Sequence, residues 1–286
     1  PMGFEHFLGH TLGLTKIPHH VPTILWSFSA FTFVHLVFAP WICSRWFPVA
    51  YGTKSRATKN TWAIHVVSQV HSVIIVAAAF YCIMTETPDR ALDPAFGWSD
   101  TTGFVHGIAV GYFIWDSIDA IINYVDFGFV VHGIVCTLVY GMSYRPFVAY
   151  YGTRCLLWEI SKLFLNIHWF LDKTGNTGSN FQLINGIFLL TSFFGVRLIY
   201  GGSVSFRFFF TLAKVWRDVP LFYVIIYGGG NFVLQGLNIF WFTKMIAALR
   251  KRFEEPKVQN RNLDREDERT SLLESNGNAH TGNGLN

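Results

Sequence analysis

Charge is scarce in this chain. Of 286 residues only 14% are charged, against 51% hydrophobic, and the mean hydropathy is +0.33. That shortage excludes an ordinary soluble domain and points to a membrane protein. No nucleic acid is expected among its partners. Cysteine is sparse too: Cys43, Cys82, Cys136 and Cys155 lie in or beside apolar stretches without metal-ligand spacing, so buried thiols and no metal are expected. No N-x-[ST] acceptor occurs, so glycosylation marks no side of the membrane. The opening "PMGFEHFLGHTLGLTKIPHH" lacks a basic start followed by a long apolar run. A cleavable signal is therefore not expected, and the first span reads as a retained anchor.

Aromatics and long apolar runs are what the chain does have. Aromatic residues make up 17% of it, as expected where rings pack between spans and gather at headgroups. A span needs ~20 mostly apolar residues. Seven windows qualify, at about 22–43, 62–84, 103–123, 127–142, 148–170, 183–200 and 219–245, the fourth short and the fifth polar. The segment 44–61 carries Arg45, Lys54, Arg56 and Lys59 without an acid, whereas 85–102 has four acids against Arg90. The last span runs into Lys244, Arg250, Lys251 and Arg252. The positive-inside rule puts 44–61 and the C-terminus in the cytosol. Arg207, Lys214 and Arg217 then fall on the wrong side, so 201–217 is expected to be re-entrant or interfacial. Three parts follow: 1–61, with the first span and the basic loop; a membrane domain over 62–250; and a disordered cytosolic tail over 251–286 containing "ERTSLL", an acidic-dileucine-like sorting pattern.

Polar groups in a span are costly and usually face protein or a watery cavity. Here they recur at helical spacing: His65, Gln69 and Ser72; Tyr112, Asp116, Asp119 and Asn123; Glu159, Lys162, Asn166 and Trp169; Asn231, Gln235 and Asn238. The fourth span adds His132, and the sixth adds Gln182, Asn185 and Arg197. Such stripes either tie helices together or line a cavity suited to a polar head and an acyl tail. Arg197 or His132 could neutralise Asp116 and Asp119; alternatively a carboxylate there could act as a base. Glu159 and Lys162, three apart, could form an intrahelical ion pair, and His168 reads as an interfacial anchor. Gly107 and Gly111 permit a close helix contact, within one chain or in a homodimer.

"GYFIWDSID" (111–119), "VVHGIV" (130–135), "WEISKLFLNIHWFLDKTG" (158–175), "FFGVRLIYG" (193–201) and "LNIFWFTKM" (237–245) resemble, in that order, the motifs of TLC-domain proteins, a superfamily that includes the ceramide synthases. The pattern Glu159, Ser161, Phe164, Asn166, Trp169 is similar to that of the small non-synthase branch of the endoplasmic reticulum (ER). The resemblance implies an all-α polytopic membrane protein of about seven transmembrane helices in a TLC-type bundle. It also implies a central amphipathic cavity open to the cytosol that accepts a long acyl chain. Tyr112, Asp116, Asp119, Asn166, Trp169, Arg197, Asn231 and Gln235 would line it. Two departures separate the chain from the synthases. His132-Gly133 stands where they have adjacent histidines, and Trp158-Glu159-Ile160-Ser161 where they have a His-Asp segment. A synthase-like reaction would need His132 as nucleophile or base with Glu159 as its partner.

Three functions are therefore expected in competition. One is a regulator of membrane composition that binds or remodels acyl lipids, with long-chain acyl lipids or sphingolipids as partners and no cofactor. Another is a membrane acyltransferase, for which acyl-CoA would be a co-substrate. The last is an ER-to-Golgi cargo receptor. The ER membrane is the expected location, with a vacuolar or endosomal membrane as the alternative through "ERTSLL".

Overall fold

The computed structural model describes Gly9 and residues 13–250; the "ERTSLL" pattern and the tail expectation lie outside these residues. Among the described residues the regular structure is helical throughout. Seven long helices follow one another: α1 (Ile17–Trp46), α2 (Arg56–Met84), α3 (Asp100–Ile122), α4 (Phe127–Met142), α5 (149–173), α6 (Asn180–Val215) and α7 (Leu221–Arg250). Five of them, all but α4 and α5, are long and apolar enough to cross a membrane. Helix α4 is shorter but apolar, and α5 is long enough, at ~37 Å, but polar. The chain is an all-α polytopic membrane protein. The described residues up to Ile239 form one compact unit and those from Phe240 another; in the second, residues 240–250 are helical, with Lys244 Nζ 5.2 Å from the Phe240 ring centre.

Short polar residues set the helix starts. The side chains of Ser55, Ser99, Asp126 and Ser179 accept hydrogen bonds from the backbone N–H of Thr58, Thr102, Gly128 and Gln182, capping α2, α3, α4 and α6. The α5–α6 turn uses Gly175 and Gly178 at φ 79° and 82°, a conformation glycine adopts at no steric cost. Val148, at the start of α5, is held at φ 50°, an outlier for a β-branched residue, where its N–H donates to Ala95 O at 2.6 Å.

Of the two expectations for 201–217, the re-entrant one is corrected. Residues 201–215 continue α6, which makes that helix 36 residues, or ~54 Å, long. No proline interrupts 180–215, and a helix of that length reaches well past a ~30 Å hydrocarbon core. Its cationic end can therefore lie in the headgroup region. Lys214 Nζ sits 4.4 Å from the Phe210 ring centre, and the Arg217 guanidinium 4.9 Å from that of Trp216.

Glycines bring α1 and α3 into close contact. A Cβ on Gly103 would meet the His20 ring, and one on Gly107 would meet Thr23 and the Tyr144 hydroxyl. On Gly111 it would come 2.6 Å from Ile24 O and 2.7 Å from Phe28 N, both backbone atoms. Ser27 Oγ then donates to Ile108 O across the contact at 2.8 Å. Gly107 and Gly111 are thus used inside one chain. Helix α5 touches α2, α3 and α6, and so the polar helix is surrounded by apolar ones. Gly111→Ala is expected to destabilise the protein by about 1–3 kcal/mol, because backbone cannot step aside. Gly141→Ala, where nothing lies within 4 Å, is expected to shift stability by under about 0.5 kcal/mol. Thermal unfolding of detergent-purified variants checks both, and equal melting temperatures would contradict the close-contact account.

Candidate functional site

The polar stripe of α5 meets charged and polar groups from three other helices. Glu159 is 4% exposed, and its carboxylate is ringed by cations and one imidazole. Lys162 Nζ lies 3.0 Å from Oε2, His71 Nδ1 lies 3.4 Å from the same oxygen, and Arg197 Nη2 lies 3.5 Å from Oε1. Arg197 is itself fully engaged. Its Nε donates to Ser161 Oγ at 2.8 Å and its Nη1 to Asn238 Oδ1 at 3.0 Å. Helices α2, α5, α6 and α7 are thus joined at one buried carboxylate. His71 stacks on Tyr112 with ring centres 3.5 Å apart, which adds α3 to the assembly.

Irregular helix supplies this convergence. Leu156–Glu159 winds as a 3-10 turn, Phe193–Tyr200 of α6 is π-helical around Arg197, and Ile225–Gly229 of α7 is π-helical around Tyr227. Such local winding changes re-aim side chains and recur at functional sites. Trp158, the neighbour of Glu159, lies on Gly201, where a Cβ would come 2.7 Å from the indole nitrogen.

Beside the ionic centre is a cavity between α3, α4, α5, α6 and α7, lined by His132, Cys136, Glu159, Arg197, Tyr227 and Asn231 among mostly apolar side chains. Its free volume is ≈ 60 Å³. It is a narrow space with room for about four to six waters. Cys136 Sγ lies 3.9 Å from both ring nitrogens of His132, one turn apart on α4. The hydroxyl of Tyr227 and Oδ1 of Asn231 are buried without a hydrogen-bond partner among the described residues. Glu159 and Arg197 are committed to each other and to their neighbours; Tyr227 and Asn231 are uncommitted.

The other expected site residues fall elsewhere. Asn166 bonds His65 Nδ1 at 2.8 Å and Ser68 Oγ at 3.1 Å, and Trp169 stacks on His65 at 4.0 Å, so both tie α5 to α2. Gln235 Nε2 donates to Ser205 Oγ at 2.7 Å, between α7 and α6. Asp119 accepts from Asn60 at 3.2 Å and Asn123 at 2.9 Å, while Asp116 rests against Gly133 of α4. Arg197 serves Glu159, and this corrects its expected pairing with either aspartate. The Glu159–Lys162 ion pair is present as expected. His168 lies against Gly186 of α6. His71, His106 and Tyr227 were not read from the sequence as site residues. His106 bonds Ser143 Oγ at 2.8 Å and Thr153 Oγ1 at 3.1 Å. In the loop before α5, Tyr144 donates to Gly103 O at 2.9 Å, and burial pushes its phenol pKa up. The four cysteines are free thiols, and no metal-binding cluster occurs among the described residues.

Residues 61–247, which hold every group just described apart from Cys43 and Asn60, match the family model of the TLC domain. The chain belongs to the TLC domain family. An uncharacterized TLC domain-containing protein of Schizosaccharomyces pombe is 35% identical over 88% of this chain and 87% of its own length. Topoisomerase I damage affected protein 4 of Saccharomyces cerevisiae is 28% identical over 86% of this chain and 89% of that protein. TLC domain-containing protein 4 of Homo sapiens is 26% identical over 83% and 95%. No solved structure matches.

Removing one member of this TLC-domain ionic centre leaves its partners buried and uncompensated. Arg197→Met and Glu159→Gln are each expected to cost about 3–5 kcal/mol, with the double variant less damaging than the sum of the two. Melting temperatures of the singles and the double provide the measurement. Additive losses would show that the two groups do not interact.

Proposed function

We propose that the protein binds an acyl lipid within the membrane and through it adjusts membrane lipid composition, from the ER membrane with its C-terminus cytosolic. One observation carries this reading. A cavity deep among the helices is lined by Tyr227 and Asn231, whose hydroxyl and Oδ1 are buried without a hydrogen-bond partner among the described residues, and by mostly apolar side chains. A buried polar atom without a partner costs free energy, and a guest with a polar end removes that cost. The ionic centre of Glu159, Lys162 and Arg197 then holds the walls in place rather than touching the guest.

Acyl transfer is the second reading, favoured by His132 and Cys136 facing one another in the same cavity. There His132 would act as nucleophile or base. Glu159 suits the role of its partner poorly, since its oxygens already face Lys162, His71 and Arg197.

Native mass spectrometry after purification in mild detergent tests both readings. Wild-type protein is expected to carry a lipid mass. Tyr227→Phe and Asn231→Leu should each lower its occupancy roughly tenfold, the worth of one hydrogen bond to a buried group, while keeping the fold. Lipid retained equally by all three proteins, or absent from wild type, sinks the lipid-cavity proposal. An acyl mass covalently attached to wild type and absent in His132→Ala would establish acyl transfer instead.

A further inference from the structure

A larger space lies away from this cavity. Where α1 ends, α2 begins and α5 ends, a lateral groove of ≈ 580 Å³ opens between the three helices. Its walls include Phe38, Ile42 and Trp46 of α1, Val66 and Val70 of α2, and Phe170 of α5. From Phe38 to Trp46 the groove follows α1 for ~12 Å of helical rise, a length suited to an extended hydrocarbon chain. Trp46, at 70% exposure, stands at its rim, as indole rings do at headgroup level.

The groove's lining runs into the basic segment 44–61 at Trp46 and Phe47. Arg45, Lys54 and Arg56 are exposed there, Lys59 sits 5.3 Å from the Tyr51 ring centre, and the segment has no acid. Three aspartates of the neighbouring helices make contacts of their own. Asp172 pairs with Lys173 at 3.1 Å, Asp119 is held by Asn60 and Asn123, and Asp126 caps α4. An apolar trough bordered by uncompensated cations has the polarity of a lipid that carries a negative head.

We propose that this groove seats an acyl chain of an anionic phospholipid whose phosphate lies against Arg45, Lys54 and Arg56. A zwitterionic phospholipid fills the same groove but brings no net negative charge for the loop to attract. A second copy of the chain, docked here by a two-fold axis, would set one basic segment against the other, so like charges oppose that occupant. The site is separate from the Tyr227–Asn231 cavity and stands or falls independently of it.

Lipid-stripped full-length protein in detergent is titrated with phosphatidylserine and with phosphatidylcholine of the same chains, with native mass spectrometry as the readout. Phosphatidylserine is expected to bind at least about tenfold more tightly, given roughly fivefold per nearby cation. R45Q/K54Q/R56Q should bring the two lipids to near parity. Raising the salt should narrow the wild-type preference. Val66→Trp, which fills the groove, should weaken both lipids, and short-chain phosphatidylserine should bind wild type more weakly than the long-chain form. Asn231→Leu should leave this preference unchanged, so failure of the central cavity and failure of the groove give different results. Equal affinity of wild type for the two headgroups overturns the proposal, as does affinity independent of chain length. Should Val66→Trp fail to fold, the chain-length series alone decides whether the groove is occupied.

Discussion

One buried carboxylate organises this protein. Glu159 lies deep among helices where an isolated charge would be prohibitive, and its stability there depends on Lys162, Arg197 and His71 arriving from the correct directions. Because those partners sit on α2, α5 and α6, the helices must meet at one point. Arg197 then extends the tie to α7 through Asn238. The irregular windings of α5 and α6 at this level follow from the same demand, since a regular α-helix would aim Glu159 and Arg197 along different lines.

That centre defines a cavity by committing its own charges. With the Arg197 donors directed to Ser161, Asn238 and Glu159, the polar atoms without a hydrogen-bond partner at the cavity wall include the Tyr227 hydroxyl and Asn231 Oδ1. A cavity of this type favours a polar but uncharged guest. It differs from the lateral groove, where an apolar wall meets a wholly basic segment.

Much of the architecture was legible along the chain, for a definite reason. In a membrane every backbone polar group must be satisfied within its helix, so an apolar window of span length already implies its structure. The window 127–142 matches α4, and Ser55, Ser99, Asp126 and Ser179 mark helix starts by residue type alone. Residues 201–215 misled because the positive-inside rule assumes that a cation lies at a span end near the hydrocarbon. It takes no account of a helix long enough to carry Arg207 and Lys214 beyond it. The site was half legible. Helical spacing showed that Glu159, Lys162, Asn166 and Trp169 share a face, but neither which helix lies opposite each nor how far along the axis.

By itself, then, the sequence determined the membrane class, the placement of most spans, the family motifs and the polar stripes, all consequences of composition and of spacing along one helix. Only the tertiary structure decided how those stripes are divided. It assigned Arg197 to Glu159 rather than to an aspartate, gave Asn166, Trp169 and Gln235 to helix ties, and placed Tyr227 and Asn231 at the cavity wall. The reason is geometric. Pairing between helices depends on their relative rotation and axial offset, and these are set where Gly103, Gly107 and Gly111 let α1 and α3 approach, and where one carboxylate must find its cations.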